Sequence, residues 1–127
     1  MHATILVIDD DAAMRRYIKA ALERAGHTVI EASDGAEGLK IKRYTPVNMI
    51  IVDIFMPEKD GLETIIELRA ESPACPILAM SGGGSMGEMS FLDYSRQFGA
   101  KELLRKPFRP DDLLAAVTRL LDAKAVC

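Results

Sequence analysis

Five side chains in this sequence could together handle a phosphoryl group: Asp9, Asp10, Asp53, Ser81 and Lys106. Three are carboxylates, one is a hydroxyl and one is an ammonium. A carboxylate can act as a nucleophile, and the other groups can bind a hard cation or stabilise the charge of a phosphoryl group. These residue types predict phosphoryl transfer to an acyl oxygen, provided that folding brings the five residues together.

Each of the five residues follows a short, mainly apolar run that is typical of a buried strand. The runs are Ile5–Ile8, Met49–Val52, Ile77–Met80 and Leu103–Arg105. In an open parallel sheet the carboxyl ends of the strands share one edge, and ligands bind in the crevice outside that edge. We therefore expect the five side chains to meet there.

Carboxylates gathered at such an edge would repel one another. Two unit charges 4 Å apart repel by about 4 kcal/mol at an effective dielectric constant near 20. Mg²⁺ suits such a cluster, because it takes carboxylate oxygens, keeps several waters and is completed by phosphate oxygens. Lys106 would add a fixed positive charge for a phosphoryl group, and Ser81 could donate a hydrogen bond to it.

Strand-like and helix-like segments alternate along the chain, which predicts a doubly wound α/β fold with helices on both faces of a five-stranded parallel sheet. The second strand is predicted over Thr28 to Glu31. The predicted helices are about Ala12 to Ala25, a segment that ends before Pro46, Leu62 to Glu71, Met86 to Phe98 and a last helix that Pro110 opens.

The first predicted helix has recognisable ends and one apolar stripe. An aspartate at its start can cap it, a role that suits Asp11 better than Asp10, and Gly26 follows its end. Its apolar stripe comprises Met14, Tyr17, Ile18, Ala21 and Leu22.

The composition limits the classes of protein that this chain can be. With 127 residues, of which 49% are hydrophobic, residues 1–127 are predicted to form a single domain. A net charge of −3 gives no basic field for nucleic acid. No apolar run reaches the roughly 20 residues that span a bilayer, and no signal-peptide pattern is present, so we expect a cytoplasmic protein without membrane contact. Cys75 and Cys127 are predicted to be free thiols.

Four short motifs, in order and at compatible spacing, resemble those of the receiver domain of two-component response regulators. They are Ile8–Asp11, Val52–Pro57 with Asp60–Gly61, Met80–Gly82 and Lys106–Phe108. The match covers essentially the whole chain. The resemblance implies a flavodoxin-like, or CheY-like, sheet with strand order 2-1-3-4-5.

The resemblance also assigns roles to the acidic residues. It implies that Asp53 accepts the phosphoryl group. It further implies that Asp10, Asp53 and the main-chain carbonyl of Phe55 ligate Mg²⁺, and that Asp9 assists through the metal or a water. Asp60–Gly61 is expected to form a turn and the start of a helix.

Ser81 and Lys106 contact the phosphoryl group according to the same resemblance, and the Lys106–Pro107 peptide bond is cis. The implied function is a signalling switch, not an enzyme, that receives its phosphoryl group from a histidine kinase or a histidine phosphotransfer protein. The implied partner or homodimer face comprises the Met86–Phe98 helix, the fifth strand and the last helix, and it contacts a downstream effector protein or domain.

Other functions are left open by the sequence. The chain could be a receiver module cut from a larger regulator or hybrid kinase, or a receiver that binds proteins without phosphorylation. A Mg²⁺-dependent phosphatase with an aspartyl phosphate intermediate is less favoured, because it needs a second carboxylate at the position of Phe55. A nucleotide site on Gly82–Gly84 would lack the lysine and hydroxyl of a phosphate-binding loop.

Two departures from the family pattern bear on mechanism. Leu103 stands where many receivers carry an aromatic residue that swings inward on phosphorylation, so we expect the segment from Gly82 to Phe98 to carry the conformational signal instead. Phe55 and Gly83 cannot orient an attacking water, which predicts slow loss of the phosphoryl group.

Overall fold

The computed structural model of the chain describes residues 2–54, 61–82, 99–121 and 127. The described strands are β1 (Thr4–Ile8), β2 (Thr28–Ala32), β3 (Met49–Asp53), β4 (Ile77–Gly82) and β5 (Glu102–Lys106). All pair in parallel, in the order β2-β1-β3-β4-β5. The predicted strand order is therefore confirmed.

Four helices lie within the described residues: α1 (Ala12–Arg24), α2 (Gly35–Tyr44), α3 (Gly61–Glu71) and α4 (Pro110–Leu120). Their bounds agree with the predicted ones to within a residue or two at the ends that the sequence specified. The predicted helix Met86–Phe98 lies outside the described residues. None of the described helices has the length and apolar content that crossing a bilayer requires.

Residues along each strand alternate between two hydrophobic cores, one on each face of the sheet. On β1, Leu6 and Ile8 belong to the core that α2 and α3 cover, whereas Ile5 and Val7 belong to the core that α1 and α4 cover. All four are fully buried. Helices therefore cover both faces of the sheet, and the side chains of the central strands β1 and β3 are buried almost throughout.

The start of α1 is fixed by a side-chain cap. The Asp11 carboxylate accepts hydrogen bonds from the main-chain N–H groups of Ala13 and Met14, as the sequence predicted. At the other end, Gly26 has a φ of +96°, a conformation that side chains disfavour. Asp11 and Gly26 therefore mark the two ends of α1, and the cap at Asp11 places the start of the helix directly after Asp9 and Asp10.

The two cysteines form a disulfide, so the prediction of free thiols is wrong. The sulfur atoms of Cys75 and Cys127 are bonded, with a Cα–Cα distance of 4.8 Å. The main-chain N–H of Cys127 donates to the carbonyl of Val47 at 2.8 Å, which brings residue 127 beside the loop before β3. Nothing in the sequence predicted this disulfide, because the two cysteines are 52 positions apart and only the fold brings them together.

Candidate functional site

The carboxyl ends of β1 and β3 bring three aspartates together. In the pairing of these strands Ile8 lies opposite Val52, so Asp9 and Asp53 follow at neighbouring positions. Asp9 is fully buried and Asp53 nearly so, whereas Asp10 is exposed. One carboxylate oxygen from each of the three residues lies within 4.8 Å of the others. The expected meeting of these three side chains is confirmed.

Lys106 ends β5 and reaches the same cluster from two strands away. Its Nζ lies 2.9 Å from Asp9 Oδ2 and 3.3 Å from Asp53 Oδ2. Burial lowers the pKa of Lys106, but the hydrogen bond that Lys106 donates to Asp9 and the negative charges of both carboxylates raise it by more, so the net shift of the pKa is upward. The site therefore contains a stable ammonium, and the Lys106–Pro107 peptide bond is cis as expected.

Asp9 is held on every side by hydrogen bonds. Its main-chain N–H donates to the Ala32 carbonyl at 3.1 Å, and its Oδ1 accepts from the Asp11 N–H at 2.9 Å. Arg15 Nη1 donates to the Asp9 main-chain carbonyl at 2.6 Å. With Oδ2 bonded to Lys106, both carboxylate oxygens have partners within the protein. This arrangement suits a supporting role for Asp9, the role that the resemblance implied.

Ser81 lies at the same edge, on the strand between those that end at Asp53 and Lys106. Asp53 pairs with Met80 across β3 and β4, and Gly82 pairs with Lys106 across β4 and β5. Ser81 is buried, and its Oγ donates to the Gly82 carbonyl at 3.3 Å. The apolar run Ile77–Met80 lies within β4, which continues through Ser81 to Gly82. Phe55, the remaining predicted site residue, lies outside the described residues.

The glycine at the start of α3 allows the helix to approach the end of β3. A Cβ on Gly61 would lie 2.1 Å from the Asp53 carbonyl oxygen and 2.4 Å from the Ile54 Cα, which no side chain could occupy. The Gly61 N–H donates to the Ile54 carbonyl at 2.8 Å. The sequence predicted a helix start here, but it gave no sign of this close contact with the main chain of Asp53.

The donor set at this edge suits a hard divalent cation. The three converging side chains offer carboxylate oxygens, which Mg²⁺ prefers, rather than the nitrogen and sulfur ligands typical of zinc sites. The exposed Asp10 gives the cluster an open side, where waters and a phosphate oxygen could complete the coordination. Lys106 adds a positive charge beside the carboxylates, as a site for an anionic ligand requires.

A doubly wound sheet with three aspartates and a lysine at its carboxyl edge defines a flavodoxin-like domain with a site for a cation and an anionic group. The sequence matches the model of the response regulator receiver domain over residues 5–118. The chain belongs to this family, the receiver domains of two-component response regulators. The resemblance drawn from the four sequence motifs is thus confirmed.

Two relatives are a response regulator and a probable transcriptional regulator. The chain is 37% identical over 122 residues to response regulator MprA of Mycobacterium ulcerans, covering 95% of this chain and 51% of the relative. It is 36% identical over 117 residues to the probable transcriptional regulator ycf27 of Porphyridium aerugineum, covering 92% of this chain and 47% of the relative. The chain spans about half the length of these curated relatives.

Solved structures show the same fold. The chemotaxis protein CheY4 of Vibrio cholerae superposes with a TM-score of 0.86 at 31% identity, covering 95% of this chain and all of that protein. NtrX of Brucella abortus, solved in complex with ADP, superposes with a TM-score of 0.88 at 28% identity, covering 95% of this chain but 27% of NtrX. The fold thus occurs both in a protein of this size and in a larger regulator.

Proposed function

We propose that this chain is a phosphorylation-controlled switch whose Asp53 accepts a phosphoryl group in a Mg²⁺-dependent reaction. One observation supports this above the others. The buried Asp53 carboxylate lies 3.3 Å from the Lys106 ammonium and within 4.8 Å of carboxylate oxygens of Asp9 and Asp10, at an edge where a donor can approach. An aspartate with a purely structural role would not require a neighbouring ammonium and two further carboxylates.

The reaction needs little covalent chemistry from the protein. A carboxylate oxygen of Asp53 attacks the phosphorus atom, an acyl phosphate bond forms, and the bond from phosphorus to the leaving group of the donor breaks. If the donor is a phosphohistidine, the phosphorus–nitrogen bond breaks and the electron pair returns to the imidazole. Lys106 stabilises the negative charge on the transferred group, and the Ser81 hydroxyl donates a hydrogen bond to it.

The cation belongs to the acidic residues in this proposal. Asp10 and Asp53 would hold Mg²⁺, with Asp9 assisting from beside them and the Phe55 carbonyl as a further ligand, and the bound ion would neutralise charge on the phosphoryl oxygens. The proximity of the three aspartates supports this assignment, whereas the Phe55 assignment rests on the resemblance alone.

Phosphorylation would act as a switch by changing the partners of Lys106. The acyl phosphate carries a charge of roughly −1.5 to −2 in place of the single negative charge of the Asp53 carboxylate, beside an ammonium that now bridges Asp9 and Asp53. Moving a two-state equilibrium from 1:99 to 99:1 takes about 5.5 kcal/mol of differential interaction. New charge-assisted hydrogen bonds from Lys106 and Ser81 can supply part of this free energy.

Membership of the receiver family supports a proposal for the partners. A histidine kinase or a histidine phosphotransfer protein would donate the phosphoryl group, and the output would pass to an effector domain or protein through β5, α4 and the predicted helix Met86–Phe98. Longer relatives such as MprA and NtrX favour the view that the chain works as the receiver module of a larger regulator.

Incubation with ³²P-labelled acetyl phosphate and Mg²⁺ tests the proposal. We expect label to reach about one phosphoryl group per chain, and we expect Asp53→Asn to take up none. Asp11→Asn is the matched control, because Asp11 lies beside the site without belonging to it. Asparagine also caps a helix as well as aspartate does, so α1 should be unaffected. Label on the Asp53→Asn variant, or continuous phosphate release at many turnovers per chain, would contradict the proposal and favour a different acceptor or a phosphatase.

A further inference from the structure

The loop between β5 and α4 follows directly after the site lysine and has few main-chain N–H donors. Lys106 is followed by Pro107, Phe108, Arg109 and Pro110, and a proline has no N–H group to donate. The Arg109 N–H is used locally, since it donates to the Asp112 carboxylate at the start of α4 at 3.1 Å. The loop therefore depends on side chains from elsewhere in the fold to fix its path.

Tyr17 on α1 supplies such a side chain. Its hydroxyl donates to the Phe108 carbonyl at 2.8 Å, across 91 positions of sequence. Its ring also contacts the Phe108 ring edge to face, with centroids 5.9 Å apart and planes at 63°. The neighbouring stripe residues Ile18 and Ala21 are buried, whereas Tyr17 remains 37% exposed. Tyr17 is thus positioned for contact with the loop more than for filling the core.

Helix α1 also contacts Asp9, the ion-pair partner of Lys106. Arg15 on α1 donates to the Asp9 main-chain carbonyl at 2.6 Å, and Tyr17 donates to the carbonyl two residues after Lys106. Asp9 and Lys106 are joined by an ion pair of 2.9 Å. One rigid helix therefore fixes the main chain on both sides of this ion pair, although its two residues come from strands that are not adjacent in the sheet.

We propose that Tyr17 is a positioning residue for Lys106: its hydroxyl, bonded to the Phe108 carbonyl, fixes the loop that directs the lysine towards Asp53. This inference rests on the proposed function, because it assigns Tyr17 a part in the transfer of a phosphoryl group to Asp53. It adds a residue that none of the four motifs contains. Small displacements matter at such sites, since a misplacement of about 1 Å can cost up to about 100-fold in rate.

Tyr17→Phe removes the hydroxyl and keeps the ring contact. The matched control is Tyr44→Phe, the same chemical change at a side chain that is 80% exposed at the end of α2. Labelling with ³²P-acetyl phosphate at increasing donor concentration gives the maximal rate and the half-saturating concentration. We expect Tyr17→Phe to lower the maximal rate about fivefold, as the loss of one hydrogen bond implies, with the half-saturating concentration and Mg²⁺ affinity unchanged. Tyr44→Phe should match the parent protein in each measurement.

A second measurement separates this inference from the proposed function. The ¹³Cε and ¹Hε NMR signals of Lys106 report its surroundings without any donor, and Tyr17→Phe should shift them while Tyr44→Phe leaves them in place. If the parent protein takes up no label, the proposed function fails, but the Lys106 signals still decide whether Tyr17 positions the lysine. Unchanged Lys106 signals in Tyr17→Phe would overturn the inference. A lower urea midpoint with an unchanged labelling rate for the folded protein would overturn it as well.

Discussion

Single residues at the carboxyl edge of the sheet stand in an electrostatic conflict. One ammonium, on Lys106, faces three carboxylates, on Asp9, Asp10 and Asp53. Lys106 contacts Asp9 and Asp53, whereas Asp10 is exposed at the open side of the cluster. Without a cation the third carboxylate adds repulsion that the lysine does not offset. This arrangement therefore lowers the stability of the metal-free protein and creates a site that attracts a divalent ion.

Asp10→Asn should therefore stabilise the metal-free protein and weaken its affinity for Mg²⁺. We expect the free energy of unfolding in EDTA to rise by about 1 kcal/mol, the interaction of two charges about 4 Å apart near water. Urea unfolding with and without Mg²⁺ measures both effects. Asp11→Asn is the control for loss of a charge at the adjacent position, and it should leave Mg²⁺ affinity unchanged. Equal stability of Asp10→Asn and the parent in EDTA would show that the carboxylates do not repel appreciably.

Sequence alone was sufficient to find the residues that converge at the edge of the sheet. Asp9, Asp53 and Lys106 each end an apolar run, and parallel strands must place such ends together. Arg15 and Gly61 could not be found in this way. The Arg15 contact depends on the path of a side chain across a helix, and the Gly61 contact depends on how closely two elements approach.

At the scale of elements, α2 and α3 are tied together by ionic contacts on the face opposite α1. Lys42 on α2 is buried, and its Nζ lies 2.9 Å from Ser72 Oγ and 3.0 Å from Glu71 Oε1. Arg43 donates to both oxygens of Glu71, at 3.0 and 2.5 Å. The hydrogen bond from Arg43, then that from Lys42, lowers the pKa of Glu71 from 4.5 to about 2. Because α3 begins against the main chain of Asp53, this tie supports the strand that ends at Asp53.

The lowered pKa of Glu71 makes this tie sensitive to acid. Its stabilising contribution is fully present above the unfolded pKa of 4.5 and disappears as the pH falls towards about 2. Glu71→Gln should lower the free energy of unfolding at pH 7 by about 1 kcal/mol, since the carboxylate is partly screened by water. The difference from the parent should vanish near pH 2 in urea titrations. Glu23→Gln, an exposed change on α1, should show no such pH dependence, and a difference that persists at pH 2 would contradict the assignment.

Elements were predictable from sequence wherever caps and apolar periods coincide, and their contacts were not. Asp11 and Gly26 marked the ends of α1, and the alternation of strands and helices predicted the strand order once the family resemblance was added. The buried Lys42 had no sequence signal, because a lysine on a helix is normally solvated and only the position of α3 supplies its partners.

At the scale of the whole molecule, the two edges of the sheet carry different features. Asp53 and Ser81 lie at the carboxyl ends of β3 and β4, and Val47 and Cys75 precede the amino ends of the same strands. The disulfide from Cys75 to Cys127 and the hydrogen bond from Cys127 to Val47 fasten residue 127 to this second edge. The buried strands β3 and β4 therefore connect the stabilising disulfide at their amino ends with the candidate site at their carboxyl ends.

Reduction of the disulfide should lower stability without removing the site. The bond joins residues 52 positions apart, and closing a loop of that length reduces the entropy of the unfolded chain by an amount worth about 4 kcal/mol in the simplest model. Urea unfolding with and without a dithiol reductant should show a fall in the free energy of unfolding of this order. Cys127→Ser should already have the lower stability and should not respond to the reductant. Because Asp53 lies at the far end of β3, its labelling by acetyl phosphate should survive reduction under native conditions. Loss of labelling together with retained folding would instead mean that the amino edge of the sheet controls the carboxyl edge.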